Sequence, residues 1–273
     1  MDKKQLYKQS IFVSVILSTL GVLTLYHLFA SEMNESLNSI EGAWIVLIFI
    51  LIRICVLSGM SSYILRKWFS QEQQYLSDIP FLFGMFFLVL TFGKALDILT
   101  NFTYYTLDAE TFLILLKIRH LVIILTITPM LYLSVEMILF IKSLNKTEQG
   151  LNDKKYRDRL KIKIILTIFI IETVAVLLYP NTFIAGIVMA IIMMPSLIII
   201  TWMFYFTYKN KRLTQVHSLI LSIGFGMYTV SQVTRALLQN IIGEIALYII
   251  ISEIIDLIIF LIIFTGLIKK IKI

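Results

Sequence analysis

Eight ionisable side chains stand inside long apolar runs of this sequence: Arg53, Lys94, Asp97, Glu136, Glu172, Arg235, Glu253 and Asp256. A charge in hydrocarbon costs about 2.5–3.5 kcal/mol even on insertion scales unless it is paired or hydrated. Whatever chemistry the runs hold therefore lies among these residues. Their spacing groups them further. Lys94, Asp97 and Asn101 share one helical face at i, i+3 and i+7, and Tyr228, Gln232, Arg235 and Gln239 form a polar stripe by the same rule. Glu253 and Asp256 are one helical turn apart. Two such carboxylates in low dielectric compete to ionise, and a cation between them, Arg235 or Arg53, relieves the competition.

At about 1.5 Å of rise per residue, Lys94, Asp97, Arg235 and Glu253 fall in the outer half of their runs. Asp256, Arg53 and Glu172 fall near the midplane, and Glu136 toward the cytoplasm. The expectation is a polar cluster in the outer half, with Lys94, Asp97, Arg235 and Glu253 around a ligand or ion and Gln232 and Asp256 beneath. Against it stands a purely structural reading, with Lys94 paired to Asp97 and Arg235 to Glu253 to fix helix register. Five carboxylates against three cations favour a site.

Other chemistry is sparse. No Walker loop, H-E-x-x-H or G-x-S-x-G occurs, so no enzyme is expected. No cofactor is expected either. His27, His120 and His217 sit near the ends of runs, whereas a haem bundle wants facing His pairs in mid-span. Lys269 and Lys270 end the last run, too late for a retinal attachment. The single cysteine, Cys55, excludes an intramolecular disulfide and a Cys-based zinc site and reads as a small buried hydrophobe. Arg119–His120 reads as a snorkelling interfacial pair, with membership of the outer cluster as the alternative. Pro129 and Pro195 lie within runs, where each frees a carbonyl.

The elements that must position these groups follow from composition. The 273 residues are 59% hydrophobic and 15% charged, with mean hydropathy +0.89. A soluble domain carries roughly 25% charged residues, disorder needs low hydrophobicity, and a β-barrel shows alternating segments of about 10 residues. A polytopic, all-α transmembrane bundle remains, forming a single integral domain. Eight runs approach the ~20 residues that cross a bilayer: 11–30, 43–65, 80–102, 121–141, 162–179, 183–205, 216–240 and 245–268. Lysine and arginine crowd the N-terminal tail, alternate loops and the C-terminal end, which predicts eight spans with both termini cytoplasmic in the cell membrane. The first run is too long for a signal-peptide core and lacks an A-x-A-like site, so it reads as a retained helix. The net charge of +7 is spent on these topology markers, which removes nucleic acid as a partner. The richest stretch, Lys142–Lys163, is the expected docking place for a cytoplasmic partner.

Phe112–Leu113, Ile118–Arg119–His120–Leu121, Ile124 and Pro129–Met130–Leu131 resemble the third helix of the seven-transmembrane N-terminal sensor regions of histidine kinases and related prokaryotic receptors. Gln215 falls where that family often has glutamine before its sixth helix, and the resemblance covers about Ala43–Ile268. It implies a sensor with an outside ligand. No kinase, cyclase or regulator domain follows Lys270, so signalling is expected to pass through a partner. Two other functions fit the same charges. One is a secondary transporter coupled to protons or cations through Glu253, Asp256 and Glu172, and the other is a structural membrane subunit of a complex.

Overall fold

The computed structural model describes residues 3–143, 153–211, 213, 215–242 and 246–269, with the backbone alone for 3 and 236–242. Among the described residues there are nine helices and no strand: α1 Lys3–Leu28, α2 Ala30–Ser39, α3 Ala43–Phe69, α4 Ile79–Thr103, α5 Ala109–Ser143, α6 Lys154–Leu178, α7 Thr182–Lys209, α8 Ser218–Ile242 and α9 Ala246–Ile268. Among the described residues each of the eight apolar runs lies mainly within one helix, α1 or one of α3 to α9. The extra element, α2, is short and polar, and it buries only Ser36 and Leu37.

Local chemistry sets the helix ends. Gly42 enters α3 at φ 80, a left-handed backbone that suits glycine. Pro80 opens α4 behind Asp78, whose carboxylate accepts from the Tyr75 N–H and the Trp68 indole N–H, each at 3.0 Å. Asn181 caps α7 by accepting from the Ile184 N–H at 2.9 Å. Asp108 caps α5 by accepting from the N–H groups of Thr111 at 2.9 Å and Glu110 at 3.1 Å. The Thr111 bonds, with that of Glu110, hold the Asp108 carboxyl below its usual range.

Six helices, α1, α3, α4, α5, α7 and α9, are long and apolar enough to cross a membrane. The other two of the eight expected spans fall short of that composition. A basic turn opens α6 and Glu172 interrupts its apolar part, while Tyr228, Gln232 and Arg235 lower the hydropathy of α8. The chain is therefore a multi-pass helical membrane protein. None of the most apolar stretch of α1 is buried in the protein, as for a helix whose apolar surface is covered by lipid.

The chain divides into two compact units, Met1–Thr126 and Ile127–Ile273. In the first unit α3 and α4 run antiparallel. Trp68 meets Phe81 at 4.7 Å between ring centroids, and Ser61 Oγ donates to the Gly84 carbonyl at 2.9 Å. Trp68, Phe83, Phe87 and Leu99 form the core. From α1, Tyr26 Oη donates to the Ala95 carbonyl at 2.5 Å. Cys55 is exposed, contrary to its expected burial, because the buried face of α3 runs through Ile50, Arg53, Leu57 and Met60.

In the second unit α8 packs between α7 and α9. Phe204 and Phe225 stack at 5.5 Å, and the α8–α9 seam closes on a glycine. A Cβ at Gly224 would lie 2.6 Å from Ile263 Cγ1 and 3.4 Å from its backbone nitrogen. Small residues at such seams let membrane helices approach closely enough for dispersion to hold them. Gly224→Leu is accordingly expected to lower stability by about 1–3 kcal/mol through overpacking. Gly59→Ala, which has nothing within 4 Å, is expected to raise stability slightly. Thermal midpoints of the two variants check both signs.

Candidate functional site

Lys94 and Asp97 belong to the first unit, and Gln232, Arg235, Glu253 and Asp256 to the second. In the first unit Lys94 Nζ lies 2.5 Å from Asp97 Oδ2, the i, i+3 pair that the spacing predicts. The other oxygen, Oδ1, accepts from Arg119 Nε. Arg119 therefore reaches inward from α5 to share Asp97 with Lys94, and the snorkelling expectation is corrected. Its neighbour His120 is buried too. Arg53, on α3, is 1% exposed. Two cations, Lys94 and Arg119, thus bond one buried carboxylate carried by α4.

In the second unit Asp256 is 1% exposed and holds the centre of a second network. Arg235 Nη2 lies 2.6 Å from Asp256 Oδ2, and Ser231 Oγ donates to Oδ1 at 2.9 Å. The same Nη2 donates to the Ser252 carbonyl at 3.2 Å, and Tyr248 Oη donates to the Arg235 carbonyl at 2.8 Å. This bond reaches Asp256, one turn beyond Glu253, the partner that the sequence suggests for Arg235. Side chains on a helix lean toward its N-terminus, so the Arg235 head lies level with Ser231, and in the antiparallel register Ser231 faces Asp256. Glu253 is buried on α9, and Gln232 is half-buried on α8. The side chain of Gln239 lies outside the described residues.

Beside this network α8 and α9 border a groove of about 790 Å³. Met227, Val230, Ile251 and Ile255 make its walls apolar, and Ser231, Arg235, Tyr248 and Ser252 supply its polar groups. Most ligand sites combine an apolar lining with a few fixed polar groups. Ser231 and Ser252 stand four residues before Arg235 and Asp256, a spacing that the sequence displays. Tyr248 carries no comparable signal.

The remaining intramembrane charges are held singly. Glu172 is buried, and Ser196 Oγ, next to Pro195 of α7, donates to it at 3.2 Å. Glu136 lies 3.6 Å from Lys161 Nζ, which is also 3.3 Å from Asp158 and 4.3 Å above the Tyr132 ring. Comparison of the chain with family models, with curated proteins and with solved structures found no match.

Proposed function

We propose that the chain is a non-enzymatic, multi-pass protein of the cell membrane, of sensor or receptor type, with eight spans and both termini cytoplasmic. A small amphiphilic ligand occupies the α8–α9 groove with its polar end at Arg235, Asp256 and Ser231. The signal leaves through a separate partner at Lys142–Lys163. One observation supports this reading above the others: an open apolar groove is lined by a partly exposed Arg235 that is ion-paired to the buried Asp256 behind it. A pair that served only to lock register needs no cavity beside it. On this reading the Lys94–Asp97–Arg119 group is scaffold rather than ligand site.

The test is a thermal-shift screen of the protein in lipid nanodiscs against anionic and amphiphilic metabolites. Stabilisers of the wild type should lose their effect in Arg235→Ala and in Val230→Trp, which puts bulk into the groove and keeps both members of the ion pair. At a hundred times Kd, binding contributes about 2.7 kcal/mol, a shift of several degrees. Compounds that stabilise both variants as they do the wild type remove the groove as the site.

The buried Glu172, whose hydrogen bond comes from a neutral hydroxyl, favours a second reading as a proton-coupled or cation-coupled transporter through Glu253, Asp256 and Glu172. Proton-driven uptake into proteoliposomes that disappears in Glu172→Gln would select transport over sensing.

A further inference from the structure

Six cations fall within ten residues at the start of α6: Lys154, Lys155, Arg157, Arg159, Lys161 and Lys163. The fold divides them. Arg157 and Lys161 turn inward onto α5. Arg157 lies 5.8 Å over the Phe140 ring and donates from Nη1 to Ser143 Oγ at 3.3 Å, and Lys161 is buried against Tyr132, Glu136 and Asp158. Lys154, Lys155, Arg159 and Lys163 are exposed, and none of the four has an ion pair among the described residues. Lys154, Lys155 and Arg159 border a depression of about 470 Å³ with Asp153, Asp158 and Ile162; Asp158 is engaged by Lys161 and Asp153 by the Lys155 N–H.

The exposed face changes character along the helix. Lys155 and Arg159 are followed on the same side, at spacings of three and four residues, by Ile162, Leu166 and Ile170. These three are 54%, 51% and 53% exposed. One face therefore runs from two cations to a row of aliphatic side chains. The Lys155 amide is not the anion receiver, because Asp153 Oδ1 already accepts from it at 2.9 Å.

We propose that this face of α6 binds an anionic phospholipid, its phosphodiester between Lys155 and Arg159 and its acyl chain along Ile162, Leu166 and Ile170. The order of groups on the helix is the order of groups in the lipid, head then tail. A free phosphate would have no use for the aliphatic row, and a zwitterionic lipid would gain little from the two cations. The assignment is independent of the α8–α9 groove and holds whether the protein senses or transports. Lys155 and Arg159 fall within the Lys142–Lys163 stretch proposed for a partner, so the bound lipid would cover part of it.

Native mass spectrometry of the full chain released from neutral detergent tests it, with phosphatidylglycerol and phosphatidylcholine of identical acyl chains as probes. Phosphatidylglycerol should be retained preferentially. Each cation near an anionic surface contributes about fivefold, so K155Q/R159Q should weaken retention by roughly 25-fold. Lys209→Gln, an exposed lysine at the end of α7, should leave retention unchanged. Leu166→Gln should weaken both lipids alike. Excess inorganic phosphate should not displace the lipid. Equal retention of the two lipids, full retention by K155Q/R159Q or displacement by phosphate would each overturn the proposal. If K155Q/R159Q does not fold, salt decides on the wild type: retention that falls with ionic strength supports the assignment, and retention indifferent to salt overturns it.

Discussion

Asp97→Ala is expected to cost about 3–5 kcal/mol, the usual penalty for removing one partner from a buried ion pair. Against a total stability of about 5–15 kcal/mol, that change removes a large fraction of what holds the protein folded. The geometry explains why the effect is large. Asp97 gives one oxygen to Lys94 and the other to Arg119, so a single substitution takes the carboxylate from two cations at once. Water cannot substitute, because Lys94 and Asp97 are both nearly sealed. Asp97→Asn keeps the shape and loses the charge, so it should be nearly as damaging. Lys94→Met combined with Asp97→Asn should recover part of the loss, because it removes one of the stranded cations. Thermal midpoints of the singles and the double give the coupling energy. An Asp97→Ala shift no larger than the ±0.5 kcal/mol of an ordinary surface change would show that the group is not a structural tie.

The helices were largely legible in the sequence because the length of an apolar run needs no partner to be read. The predicted 43–65, 80–102 and 183–205 begin within one residue of α3, α4 and α7. The start of α5 was missed by twelve residues, since Lys117 and Arg119 break the run that begins at Ala109. What resists reading is which side of each helix faces inward. In a bilayer both faces of a span are apolar, so hydrophobicity stops distinguishing core from surface, and Cys55 was misplaced for that reason. The polar residues take over as inward markers. Arg53, Lys94, Asp97, Glu172, Glu253 and Asp256 are all buried, as their cost in lipid demands. Pairing within a helix was also legible, as Lys94–Asp97 shows. Pairing between helices was not, because Arg119–Asp97 and Arg235–Asp256 depend on an inter-helix register that spacing within one helix does not encode.

Arg235→Ala is expected to be the most damaging change in the second unit, at about 3–5 kcal/mol. It removes the cation bonded to a carboxylate whose side chain is 1% exposed, whereas the Arg235 side chain itself is 22% exposed. That asymmetry predicts a milder loss for Asp256→Asn, since a partly exposed guanidinium still keeps the Ser252 carbonyl and can turn outward. Replacing both residues by leucine should return stability to within about 1 kcal/mol of the wild type, because well-packed apolar side chains often match a buried pair. The double variant then separates structure from function, which neither single can do. If it folds with a near-native midpoint yet no longer responds to the amphiphiles that stabilise the wild type, the Arg235–Asp256 pair is there for the ligand. If it folds and responds as before, the pair only sets the register of α8 against α9, and the receptor reading loses the polar end of its site.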